Sequence, residues 1–190
     1  MSADHRLLFV IWIMLVGLIL SSCGGAAKSD QNQSPETDPH TVTLVAADEP
    51  GQPLTIYGTV VDHLTNEPIT NARVYLYHAD ANGEYLPNDP NDESTAKLSG
   101  EVVTGDTGQF TVHTIPPREY DQPGNQHIHL HYVRADGYEE IGRVILFEDD
   151  VNDEVRQWAN DTGFGIIIEL AERDGALGGN VTIQLEPAGE

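Results

Sequence analysis

Positive charge is scarce in this sequence. Lys and Arg number 9 against 31 Asp and Glu, giving a net charge of -22 over 190 residues. A surface this acidic repels phosphate backbones, which argues against nucleic acid as a partner, and it disfavours adsorption to anionic headgroups. So few cationic side chains leave little from which to build an anion site. A bound metal ion is the better candidate for any positive centre. Cysteine is almost absent: Cys23 stands alone, so no internal disulfide can form. Helical periodicity is missing beyond the first twenty residues, and no internal repeat is present. Hydrophobic residues make up 39% of the chain, enough for one modest core.

The lone cysteine is informative by position. Leu7 to Leu20 is an unbroken apolar run. It falls short of the ~20 residues of a bilayer span and suits a signal-peptide core. Leu20-Ser21-Ser22-Cys23 follows, then small residues. That box resembles the cleavage site of bacterial lipoproteins, in which the cysteine becomes the lipidated first residue. An ordinary secretory signal with an incidental cysteine is one alternative, and a short uncleaved anchor is another because Asp4 dilutes the charge of Arg6. Each predicts export, and the lipoprotein reading predicts membrane attachment through Cys23. Gly24 to Gln52 is rich in Gly, Ala, Ser, Asp, Pro, Gln and Asn, a composition that reads as a tether. Thr41 to Ala46 is a possible short strand at its end. The expected organisation is a signal over 1–22, a flexible tether over 23–52 and a folded domain over 53–190.

From Leu54 onward, short runs alternate apolar and polar residues. Strands are predicted over Leu54–Asp62, Ala72–Ala79, Glu101–Thr104, Gln109–Thr114, His127–Val133, Ile141–Phe147, Gly165–Ala171 and Val181–Leu185. Turns of Asn, Asp, Gly and Pro separate them. Leu86 to Gly100 reads as a long loop, and one short helix is expected around Val155–Asn160. Eight or so short strands at regular spacing predict an all-β fold, an antiparallel β-sandwich.

His127, His129 and His131 recur at every second position of one predicted strand, so all three imidazoles share a face. Same-face imidazoles can share a metal ion; the alternative is a solvent-facing strand. Two further stretches bear on the choice. Pro68 to Tyr85 (PITNARVYLYHADANGEY) resembles the "P-I-x-x-A-x-V-x-x-W-x-A-D-x-x-G-x-Y" run of intradiol ring-cleavage dioxygenases. Thr104 to Tyr120, with Asp106, Gly108, Phe110, Thr114-Ile115 and Pro117, is similar to the family's "T-D-x-x-G-x-F-x-F-x-T-I-x-P-x-x-Y" stretch. The family's "H-I-H" follows at His127-Ile128-His129. The resemblance runs in order from about Leu54 to about Leu185.

It implies a transthyretin-like sandwich binding Fe(III) through Tyr85, Tyr120, His127 and His129. Phenolate oxygens suit a hard trivalent ion, and neutral imidazoles complete the set. The implied reaction inserts both atoms of O2 into a catechol-type aromatic to give a muconate-type diacid, with Tyr120 accepting a substrate proton. The chain departs from the pattern at Gly124, where the family carries an Arg three residues before the first histidine. Loss of such a preorganised charge costs about 10²- to 10³-fold in rate. Arg118 and Arg143 are the candidates to replace it. The family's Gln on the following strand has only Val144 or Arg143 in its place. Two other functions compete. Gly58 to Val74 is also similar to the start of non-catalytic transthyretin-like or carboxypeptidase-regulatory-like modules, and the histidines alone could hold zinc or copper. Trp158 is expected in the core. The acidic stretch Asp149–Glu154 is expected to be a solvated face rather than a calcium site.

Overall fold

In the computed structural model, residues 38–118, 126–133, 137 and 139–185 are described. The leader, Cys23, most of the tether, Tyr120 and Gly124 lie outside the described residues.

Among the described residues, ten strands form two five-stranded sheets. One sheet has the order β1 (Thr41–Thr43), β5 (Gln109–Thr114), β2 (Leu54–Asp62), β10 (Ala176–Leu185) and β9 (Leu170–Arg173). The other has the order β4 (Leu98–Val103), β3 (Arg73–His78), β6 (His127–Val133), β7 (Glu139–Phe147) and β8 (Gly165–Ile168). An α-helix, α1 (Asp153–Thr162), joins β7 to β8. The sandwich follows from two-residue alternation. Leu54, Ile56 and Val60 of β2 face inward with Val112 of β5 and Val181, Ile183 and Leu185 of β10. They meet Val74 and Leu76 of β3, Ile128, Leu130 and Tyr132 of β6, and Ile145 and Phe147 of β7.

The expected sandwich is present, but its sheets are mixed rather than wholly antiparallel. β10 runs parallel to β2, β1 to β5, and β7 to β8. Strand alternation does not report direction, so the sequence pattern could not distinguish these cases. The predicted strand Gly165–Ala171 is in fact two strands. The chain leaves one sheet after Ile168 and enters the other at Leu170. The tether boundary at residue 52 also moves. β1 pairs with β5, and Leu44 is buried in the common core, so the folded unit already includes these residues.

Gly58 stands opposite Phe110 in the β2–β5 ladder, and the phenyl ring occupies the space of a side chain. A Cβ at Gly58 would lie 2.0 Å from that ring. Gly58→Ala should therefore cost about 1–3 kcal/mol through overpacking. Urea unfolding will show it, and combining the change with Phe110→Leu should recover part of the loss.

Candidate metal centre

Strand β6 has two unlike faces. Ile128, Leu130 and Tyr132 are buried in the core, so His127, His129 and His131 project from the opposite face. Neighbours on that face come from register. Tyr77 of β3 pairs with His129, and Tyr75 with His131. On the other flank Val144 of β7 pairs with His129 and Leu146 with His127. Leu146 is buried beneath α1, which comes so close that a Cβ on Gly165 would sit 2.7 Å from Ala159 and 2.8 Å from Leu146. The histidines thus have an aromatic flank and an apolar flank.

Tyr85 reaches them from a tight turn after β3. The Asp80 carboxylate accepts from the Asn82 and Glu84 amides at 2.8 and 3.1 Å, and the Asp80 amide donates to the Glu84 carbonyl at 2.9 Å. Burial opposes ionisation of Asp80. The Glu84 and Asn82 hydrogen bonds outweigh it and hold the carboxyl below its usual range. Beyond the turn, the Tyr85 carbonyl accepts from the Lys97 amide at 2.8 Å. Lys97 in turn pairs with Glu49 at 2.8 Å, a carboxylate whose side chain is only 4% exposed. The segment before β2 is thereby tied to the loop that carries Tyr85.

Three donor atoms converge. The Tyr85 hydroxyl lies 3.0 Å from His129 Nε2 and 3.4 Å from His127 Nε2, and the two Nε2 atoms are 2.9 Å apart. Ligands ~2.1 Å from one ion and roughly at right angles would sit ~3.0 Å apart. The spacing therefore matches neighbouring corners of a coordination sphere, and the chemistry of the set, one phenol and two imidazoles, fits a hard metal ion. No group of three His, Cys, Asp or Glu is close enough to hold a metal among the described residues, so the tyrosine is essential to the cluster. His129 is pushed down to about 4 by burial, with His127 and then His78 adding repulsion. It is neutral at pH 7, as a ligand must be.

The other residues around the histidines separate cleanly. His131 shares the face but contributes no atom to this trio. His78 is fully buried on the core side of β3. Its Nδ1 donates to the Ala79 carbonyl at 2.7 Å, so its Nε2 accepts from the Thr114 hydroxyl at 2.6 Å, an inter-sheet link. Arg143 stands opposite Leu130, on the face away from the histidines, with the β7 bulge at Gly142 beyond it. Its register therefore removes it as a substitute for the missing family Arg. Arg118 is exposed, and its amide donates to the Asp80 carbonyl at 3.2 Å. Trp158 is 44% exposed rather than core, because α1 turns it toward solvent. The acidic stretch has a local use: Asn152 caps α1 through the Val155 amide, and Asp150 accepts from the Gln126 amide beside His127. Tyr77, which the sequence did not single out, lies flat on His129.

The chain matches the model of a dioxygenase family over residues 29–135. It belongs to the intradiol ring-cleavage dioxygenases. It is 32% identical to catechol 1,2-dioxygenase of Acinetobacter baylyi over 143 residues, covering 66% of this chain and 45% of that protein. It is 30% identical to chlorocatechol 1,2-dioxygenase of Rhodococcus opacus over 122 residues, covering 55% and 47%. The chain thus spans about half the length of these curated relatives. Among solved structures, the dioxygenase domain of a carbohydrate-binding fusion from Streptomyces sp. SirexAA-E superposes with a TM-score of 0.61 at 22% identity, covering 83% of this chain and 96% of that one. An intradiol ring-cleavage dioxygenase from Tetranychus urticae gives 0.60 at 22% identity, covering 76% and 85%. These likenesses support the shared fold of this dioxygenase family.

The buried His78 makes a pH prediction. Burial pushes it down to about 4, with His127 adding repulsion, against ~6.5 when unfolded. The unfolded chain then binds the extra proton between those values, so stability falls as pH drops from 6.5 toward 4. From pH 7 to pH 5 the loss from this group should be about 2 kcal/mol. Urea unfolding of metal-free protein at both pH values measures it, and His78→Gln should remove that share of the drop.

Proposed function

We propose that this chain is an exported ferric-iron dioxygenase that cleaves a catechol-type diol between its two hydroxylated carbons, tethered to a membrane through Cys23. The observation that carries the reading is the convergence of the Tyr85 hydroxyl and the two Nε2 atoms of His127 and His129 within 3.4 Å of one another. Tyr85, His127 and His129 would hold the ion, with Tyr120 as fourth ligand by its place in the family pattern. When bound, ferric iron supplies Lewis acidity and a template for diol and O2.

The chain's own residues do the rest. The two histidines present their Nε2 atoms to the centre, and the half-buried His129 stays deprotonated throughout the neutral range. Tyr85 would offer its hydroxyl oxygen to the ion as an anionic ligand. Tyr77 on one flank and Val144 with Leu146 on the other give an apolar frame suited to an aromatic ring. Tyr120 is the base that receives a proton from the diol. The net change is balanced: one diol and one O2 give one diacid, both oxygen atoms are retained, and no external reductant is consumed.

Ferric iron bound by tyrosinate absorbs visible light. Iron-loaded protein should be red to burgundy, Tyr85→Phe should weaken or shift the band, and a catechol should drive O2 uptake. A colourless loaded protein would rule out the iron reading. A coloured protein that consumes no O2 with any of a panel of catechols would favour a non-catalytic metal-binding module instead.

A further inference from the structure

A histidine that ligates a metal usually has its ring held by a hydrogen bond at the second nitrogen, from a carboxylate, a carbonyl or water. Among the described residues, nothing gives His129 that support. Both of its side-chain hydrogen-bond contacts are made at Nε2, and none of the described residues reaches Nδ1. Left to its rotamers, the imidazole could rotate about the Cβ–Cγ bond and carry Nε2 away from Tyr85 and His127.

One neighbour prevents this rotation. Tyr77 lies opposite His129 in the β3–β6 ladder, and its ring stacks on the imidazole with centroids 4.4 Å apart and planes only 5° from parallel. His127 meets the same imidazole edge-on at 4.5 Å and 80°, and Tyr85 lies 6.0 Å away at 50°, so neither provides a flat support. Tyr77 is itself held from both sides. Tyr85 stands 6.2 Å away, and Tyr75 stands 6.1 Å away. Tyr75 is fixed by donating its hydroxyl to the Ser94 carbonyl at 2.6 Å, in the loop between Tyr85 and β4. The Tyr77 hydroxyl makes no hydrogen bond among the described residues, so its role lies in the ring.

We propose that Tyr77 is the positioning residue for His129: its stacked ring fixes the imidazole plane and so aims Nε2 at the centre. The inference rests on the metal-centre reading but can be measured apart from it. In metal-free protein, the ring-current field of Tyr77 should shift the His129 ring protons upfield. Tyr77→Phe should keep that shift, while Tyr77→Leu and Tyr77→Ile should abolish it. Two strand-compatible aliphatic variants are made so that a folded one is available, as judged by circular dichroism and thermal melting. Ferric iron affinity, read from the visible band during titration, should fall about 10- to 100-fold in the folded aliphatic variants and stay near the original value in Tyr77→Phe. An aliphatic variant that retains both the proton shift and the affinity overturns the proposal. So does a Tyr77→Phe variant as impaired as Tyr77→Leu, since that would place the role in the hydroxyl. If the unaltered protein takes up no ferric iron, the metal reading falls, and the proton shifts alone decide whether Tyr77 holds His129.

Discussion

The register of β6 is the constraint on which the rest of the molecule depends. Its side chains alternate between the common core and the donor face, and both sets are large. A slip of one residue against β3 would turn Ile128, Leu130 and Tyr132 outward and press three imidazoles into the core. Fully burying one such apolar side chain contributes roughly 1.5–3 kcal/mol, so the slip would cost several times that before any histidine was desolvated. The apolar core thus selects the register, and the register sets the geometry of the donor face. Because β6 lies between β3 and β7, both ladders enforce the choice.

Polar groups gather at the end of the sandwich where Tyr85 begins. His78, Asp80 and Thr114 are all buried there, and the Glu49 side chain is nearly so. Burying unpaired polar groups is costly, and here most are paired. The His78–Thr114 bond links β3 to β5 across the layers, and the Asp80 turn satisfies its own amides. The Lys97–Glu49 pair joins the segment before β2 to the Tyr85 loop. The Lys97 end of the pair is open to solvent, which screens the attraction and keeps its contribution to stability small. Its consequence is geometric: it fixes where the chain enters the loop that delivers the phenol.

Much of this was legible in the sequence, because alternation is a direct record of which face is buried. The bounds of β2, β5 and β6 could be read from periodicity alone, and the shared face of His127 and His129 followed. Strand direction could not be read, since parallel and antiparallel neighbours have the same two-residue period; hence the mixed sheets were missed. The switch between sheets at Glu169 was missed because an apolar run of this length carries no mark of changing partner. Trp158 was misplaced because a large apolar residue on a short helix does not reveal which way the helix turns. The role of Tyr77 is hidden in the sequence for a related reason. Its alternation identifies it as outward-facing, but stacking depends on cross-strand pairing between β3 and β6, which lie about fifty residues apart in the chain.

The donor set itself argues about the kind of ion. Two neutral imidazoles alone would suit zinc or copper as well as iron. The convergence of Tyr85 changes the balance, because a phenol with an ordinary pKa near 10 ligates as an anion only where the ion offsets the cost of losing its proton. A trivalent ion does so more strongly than a divalent one. The fold positions that phenol with more effort than it spends on the imidazoles: a self-capped Asp80 turn, the Lys97 amide on the Tyr85 carbonyl, and a buried carboxylate holding Lys97. That local structure places an oxygen donor beside the imidazoles, and oxygen is the donor type that a hard, highly charged ion prefers.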